Sequence, residues 1–135
     1  MRASATFAVS DFTAADVPAS LPVTTGTPTG VATMVKRYEG EAVGESATLF
    51  TAAYNQETGA GTYLAMESFE GTLHGRRGTF NFAHSASTVG ADRSAEFFAI
   101  VPFSGTGDLA GIRGSGGLAV DPDGTHRVWF DYDLD

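Results

Sequence analysis

The sequence predicts an all-β protein: about eight antiparallel strands curled into a single small barrel, with little or no helix. Three observations carry that expectation. Seventeen glycines and five prolines are scattered along 135 residues, so connections are many and short. The stretches between them are rich in Thr, Val, Phe and Tyr, which suit a pleated, half-buried surface. No window holds apolar residues at helical spacing without a Gly or Pro inside it.

Strands are expected at 3–12, 31–39, 45–55, 61–74, 77–88, 95–103, 114–121 and 125–134, all in one domain spanning 1–135. The first opens on Ala3-Ser4-Ala5-Thr6-Phe7 and runs into a Pro- and Thr-rich loop from Thr13 to Gly30. The second and third lie between that loop and the first hairpin that the sequence specifies. There, His74-Gly75-Arg76-Arg77 suits a two-residue type II′ turn with Gly75 and Arg76 at its centre. That turn would set Leu73 opposite Gly78, Phe69 opposite Phe82, Glu67 opposite His84 and Ala65 opposite Ala86. These side chains share one aromatic face, while Thr72, Thr79, Glu70 and Asn81 share a polar one. The aromatic face is expected to line the barrel. The sixth strand, Glu96-Phe97-Phe98-Ala99-Ile100-Val101-Pro102-Phe103, is apolar on both faces. With Leu64 and Met66 it implies an outer set (Leu64, Met66, Phe98) covered by the N-terminal loop or by a second subunit. The last two strands are joined by Asp121-Pro122-Asp123-Gly124, with Pro and Gly where a turn wants them.

Composition narrows the function classes. The net charge of −8 argues against nucleic acid and anionic membrane surfaces as partners. With no cysteine there are no disulfides, thiolate nucleophiles or zinc–thiolate sites, which fits a reducing compartment. No stretch has the length of a signal peptide or a membrane span, so a soluble, cytoplasmic protein is expected.

Glu67 and His84 are the residues that point most directly to chemistry. Both fall on the face of Phe69, Phe80, Phe82 and Leu73, where a carboxylate needs a partner and an imidazole supplies one. Such a pair titrates as a unit and can move a proton on a bound ligand, although pairs of this kind serve more often as polar glue in a core. His126 begins the alternating set Val128, Phe130, Tyr132 and Leu134, and so points inward near a barrel end. Two inward histidines with Glu67 could in principle ligate a metal, yet no close spacing supports one, and no metal is expected.

The glycine-rich run Ser104 to Gly117 gives G-x-G-x-x-x-G with no helix after it, so turns and close packing explain it better than a nucleotide. No cofactor is expected. The acidic residues Asp121, Asp123, Asp131, Asp133 and Asp135 read as a solvated edge, since Asp131 and Asp133 stand roughly 6.5–7 Å apart along a strand.

An ordered set of short motifs runs over nearly the whole chain. It comprises Lys36-x-Tyr38-x-Gly40, Gly44-x-Ser46, Tyr63-x-Ala65-x-Glu67, Gly71-x-Leu73-x-Gly75-Arg76, Gly78-x-Phe80, His84, Ser104-Gly105-Thr106-Gly107-x-Leu109-x-Gly111, Gly124-x-His126 and Asp131-Tyr132. In these the chain resembles an uncharacterised bacterial family of unknown function, related in fold to the allene oxide cyclase barrels. The resemblance implies a small, calycin-like antiparallel barrel with a central cavity. Allene oxide cyclases hold a hydrophobic fatty-acid epoxide there and assemble as oligomers; the likeness carries over the cavity and not the reaction.

Three functions compete. The first is a barrel binding a small apolar ligand, as a cofactor-free isomerase or cyclase: Glu67 is base or orienter, His84 its proton partner, and Phe69, Phe80, Phe82, Tyr63, His126 and Tyr132 line the site. The second is a peptidase-like acid hydrolase using paired carboxylates. The third is a non-catalytic homo-oligomeric module.

Overall fold

The computed structural model describes residues 1–134; Asp135 lies outside the described residues. Eight antiparallel strands follow one another around a closed ring: β1 (Arg2–Ala15), β2 (Thr29–Gly40), β3 (Ala42–Asn55), β4 (Ala60–Leu73), β5 (Arg76–Val89), β6 (Asp92–Ile100), β7 (Arg113–Val120) and β8 (His126–Asp133). The ring closes by pairing of β1 with β8, so the all-β barrel expected from the sequence is the fold. A 3-10 turn, Gly107–Leu109, is the single helical element among the described residues. No helix there is long and apolar enough to cross a membrane.

Alternation places the core. Phe69, Phe80, Phe82, Phe130 and Tyr132 are all buried inside the ring. Phe69 meets Phe80 at 5.1 Å between ring centroids, Phe82 meets Phe130 at 5.1 Å and Phe80 meets Phe130 at 5.5 Å. Tilted and edge-on rings of this kind fill the lower barrel as solid packing. Leu109 and Ile112 close that end from the segment between β6 and β7. At Gly78 this segment leaves no room for a side chain, because a Cβ would sit 2.1 Å from the Thr106 carbonyl oxygen.

The β4–β5 hairpin turns one residue earlier than the sequence suggests. Its loop is His74-Gly75, with Leu73 opposite Arg76. Both loop residues have positive φ, 48° and 79°, which makes the turn type I′ rather than II′. Histidine tolerates the left-handed region better than most residues, and His74 Nε2 is fixed 2.9 Å from the Arg2 carbonyl. As a result Glu67 faces Phe82, Phe69 faces Phe80 and Ala65 faces His84. Each partner moves by two positions, so the inward set is unchanged; Glu67 and His84 become diagonal neighbours instead of a facing pair.

The sixth strand also shifts, from the expected 95–103 to Asp92–Ile100. Its register slips between Ser85 and Ser87, at a bulge where Ala95 has a φ of 50°. The bulge turns Phe97 outward, while Phe98 stacks on Phe82 inside at 5.2 Å, so Phe98 does not belong to the outer set. Pro102 lacks an N–H and sits in a turn closed by the Ser104 N–H to the Val101 carbonyl at 3.3 Å. Phe103 stands at the position where such turns favour glycine, with a φ of 61°, at a cost of order 1–3 kcal/mol. Its side chain is 100% exposed.

Two further features shape the walls. The loop between β1 and β2, residues 16–28, is almost wholly exposed and is tied to β3 by the Asn55 side chain on the Gly26 carbonyl and by the Tyr54 N–H on the Pro28 carbonyl. It leaves the outer faces of Leu49, Leu64, Met66 and Phe97 uncovered. Between β6 and β7 the ladder reduces to one residue pair, Ala99 with Ser115.

Candidate functional site

Four adjacent strands bring polar side chains to one height inside the barrel. Alternation aims Lys36 inward from β2, Ser46 and Thr48 from β3, Glu67 from β4 and His84 from β5. All five are buried, and Glu67 is fully so. Its Oε2 accepts from Lys36 Nζ at 2.5 Å and from His84 Nε2 at 2.8 Å. Its Oε1 accepts from Ser46 Oγ at 2.8 Å and from the Thr48 hydroxyl. An ionised carboxylate has about four acceptor positions, and here each holds a donor. Since Ser46 gives its proton to Glu67, the Tyr38 hydroxyl, 2.7 Å away, donates to Ser46 Oγ. The Lys36 ammonium also lies 5.1 Å from the centroid of the Phe7 ring.

From Glu67 a directed chain leads to the upper mouth. A carboxylate can only accept, so His84 carries its proton on Nε2 and leaves Nδ1 as an acceptor. The Tyr63 hydroxyl donates to that Nδ1 at 2.9 Å. The Tyr63 oxygen accepts in turn from Arg93 Nη2 at 3.0 Å, and Arg93 Nε donates to Glu96 at 2.9 Å.

Electrostatics follow from this geometry. Burial pushes the Glu67 carboxyl upward, but the His84 hydrogen bond, the Lys36 charge and the hydroxyl donors outweigh it and hold the group at about 2. Burial pulls His84 below the usual imidazole range, against the upward pull of Glu67. Burial also raises the Tyr38 and Tyr63 phenols, which therefore remain donors. At neutral pH the cluster is one carboxylate, one ammonium and a neutral imidazole.

Above the cluster lies a cavity of about 310 Å³ at the mouth, lined by Phe12, Phe50, Ala52, Tyr54, Tyr63 and Thr88. Phe50 and Tyr63, neighbours on β3 and β4, stack at 5.6 Å in its wall. Tyr63 thus joins an apolar chamber to the buried imidazole and carboxylate, which do not line it.

The residues singled out from the sequence fall into three places. Glu67, His84 and Tyr63 form one hydrogen-bonded unit. Phe69, Phe80, Phe82 and Tyr132 are core residues in the packed lower half. His126, exposed at the rim against Phe7 at 5.1 Å, lines a separate surface groove. Sequence inspection placed Lys36, Tyr38 and Ser46 in motifs only, with no site role, and missed Thr48 and Arg93. Lys36 carried a usable signal: it alternates with Ala32, Met34 and Tyr38, and a lysine on such a face calls for a counter-charge. Arg93 gave none, because the β6 bulge sets its direction.

The acidic edge is made of separately held groups. Asp131 binds Arg2 at 2.7 Å, Asp121 binds Arg127 at 2.6 Å, and Asp123 accepts from the Thr125 N–H at 2.9 Å. Asp135, the last of the set, lies outside the described residues. Among the described residues no group of three or more His, Cys, Asp or Glu side chains is placed to hold a metal ion.

The sequence profile of a family described as "Protein of unknown function (DUF3224)" matches residues 3–132. A crystal structure of a DUF3224 protein of unknown function from Shewanella oneidensis is similar over 100% of this chain and 98% of its own, at 25% identity and a TM-score of 0.84. No curated protein matches the chain.

Proposed function

The chain belongs to the DUF3224 family, and we propose that it is a barrel that binds a small apolar ligand at its upper mouth and moves a proton on it without a cofactor. One observation carries this reading: the apolar cavity is lined by the ring of a tyrosine whose hydroxyl is wired to a buried imidazole and carboxylate. Tyr63 is the group that touches the ligand. His84 takes the phenolic proton at Nδ1 or returns it, while Glu67 fixes the imidazole tautomer and stabilises the imidazolium that forms. Lys36, Ser46 and Thr48 keep Glu67 ionised for that task. Arg93 stabilises negative charge on the Tyr63 oxygen when its proton leaves. Such a relay supplies the proton transfer that an enolisation, isomerisation or ring closure of an apolar substrate requires. The lack of cysteine favours the cytoplasm as its setting.

Supporting this reading over an acid hydrolase, Asp131 and Asp121 are each paired with an arginine and Asp123 accepts from backbone, so none of these three is held against a second carboxylate. Its test is a panel of neutral apolar compounds followed by thermal denaturation. Binding at a hundredfold excess over Kd adds about 2.7 kcal/mol and raises the melting temperature visibly. Ala52→Trp, which fills the chamber, should abolish the rise, whereas Tyr63→Phe should keep binding and lose turnover. A panel that never stabilises the wild type, or stabilises Ala52→Trp equally, removes the basis for the proposal.

A further inference from the structure

Independently of the mouth cavity, we propose that two copies of this chain associate through the outer face of β3–β6, each seating its Phe103 in a groove of the other. The groove, about 310 Å³, runs over Leu49, Leu64, Met66, Ala83 and Phe97. Cross-strand pairing makes these residues contiguous: Leu49 faces Met66, Met66 faces Ala83, and Ser85 links Leu64 to Phe97. Leu49 is 65% exposed, Leu64 56%, Met66 43% and Phe97 56%.

A second, separate observation is Phe103. A wholly exposed aromatic ring held at positive φ is unfavourable twice over in an isolated chain, and such outliers gather at functional sites. Its turn is pinned beside the groove: Ser104 Oγ accepts from the Asn81 N–H at 3.0 Å, and Asn81 is two positions along β5 from Ala83. Knob and groove therefore lie on the same side of the barrel. That is the condition for a two-fold pair in which each copy gives and receives the same contact.

Area and an uncharged centre favour a second copy as the occupant. The groove side chains and Phe103 together present on the order of 500 Å² of apolar surface, a large share of the roughly 800 Å² per partner of a standard interface. Uncharged Ala47, Ser68 and Thr62 surround the centre. Charges begin farther out, with Glu45 paired to Arg37, Glu70 opposite Glu45 and Glu96 beside Phe97, so the apolar centre is ringed by a polar, partly acidic rim. The chain's own 16–28 loop, the other candidate cover, is held at the end of β3 and leaves the face open.

Sedimentation equilibrium and light scattering across micromolar to millimolar protein test this, with far-UV circular dichroism confirming the fold of each variant. The wild type should be a dimer. Phe103→Gly, which suits the turn, and Leu64→Glu should each weaken association at least a hundredfold, the former without loss of melting temperature extrapolated to low concentration. If Leu64→Glu does not fold, Met66→Ser takes its place. A wild type that remains monomeric overturns the proposal. A Phe103→Gly protein that dimerises as tightly as the wild type overturns the seating of that ring.

Discussion

Replacing Glu67 by glutamine probes the centre of the molecule while keeping its shape. Glu67→Gln retains volume and one accepting oxygen, but it leaves the Lys36 ammonium, which is only 8% exposed, without a counter-charge. Two routes give the size of the loss. The carboxyl is held at about 2 rather than 4.5, a displacement worth about 3 kcal/mol at neutral pH. Breaking a buried ion pair from one side costs about 3–5 kcal/mol in general. Urea denaturation followed by Trp129 fluorescence and far-UV circular dichroism should therefore show a drop of about 3–5 kcal/mol, or roughly 10–20 °C in melting temperature. Lys36→Met should cost a similar amount, because it strands the carboxylate instead. The double variant Lys36→Met/Glu67→Gln should cost less than the two together by at least about 2 kcal/mol, since neither charge then remains unpaired. Strict additivity within about 0.5 kcal/mol would refute the coupling, and a loss below about 1 kcal/mol for Glu67→Gln would show that the carboxylate is not ionised and paired.

Titration of the same groups sets the acid limb of stability. Both are depressed in the folded state, so both contribute stability at high pH that is lost on acidification: His84 begins to withdraw its share below about 6.5, and Glu67 between about 4.5 and 2. Urea midpoints measured from pH 7 to 2 should fall through both windows, and Glu67→Gln should flatten the lower one. Nitrogen-15 NMR of His84 should report a neutral ring protonated on Nε2 at pH 7, and a protonated Nδ1 there would contradict the relay. Tyr63→Phe should destabilise by about 1 kcal/mol and change the Nδ1 shift, because Nδ1 loses its donor. Gly78→Ala should cost more than about 2 kcal/mol, since its Cβ would press on the Thr106 carbonyl and lift the segment that carries Leu109; thermal melts measure it.

Period-two alternation and turn chemistry were enough to read the ring of strands. Asp121-Pro122-Asp123-Gly124 closes the last hairpin through the Gly124 N–H on the Asp121 carbonyl, as its residues require. The inward placement of Glu67 and His84 was legible for the same reason, and it survived the misplaced turn at His74 because a slip of two keeps every face. What pairs with them was not legible, since Lys36, Ser46, Thr48 and Tyr38 come from strands whose relative stagger no local signal encodes. The bulge at Ala95 was equally hidden. Alanine carries no preference for positive φ, yet that one residue decides whether Phe97 or Phe98 faces water and where Arg93 points.

The meeting of β6 with β7 at Ala99 and Ser115 alone makes the molecule a curled ribbon fastened by a narrow clasp. Behind the clasp is a slot of about 130 Å³ that reaches Phe98, and the Phe98 ring lies nearly parallel to His84 at 5.9 Å. Along Phe97–Ala99 and Ser115–Leu118, the amide protons that point across the β6–β7 gap should exchange faster than those of the β3–β4 and β4–β5 ladders, while those bonded to β5 and β8 stay protected. Of the rings around the imidazole, Phe98 is the one that lines this slot, so loosening the fastening would uncover it first.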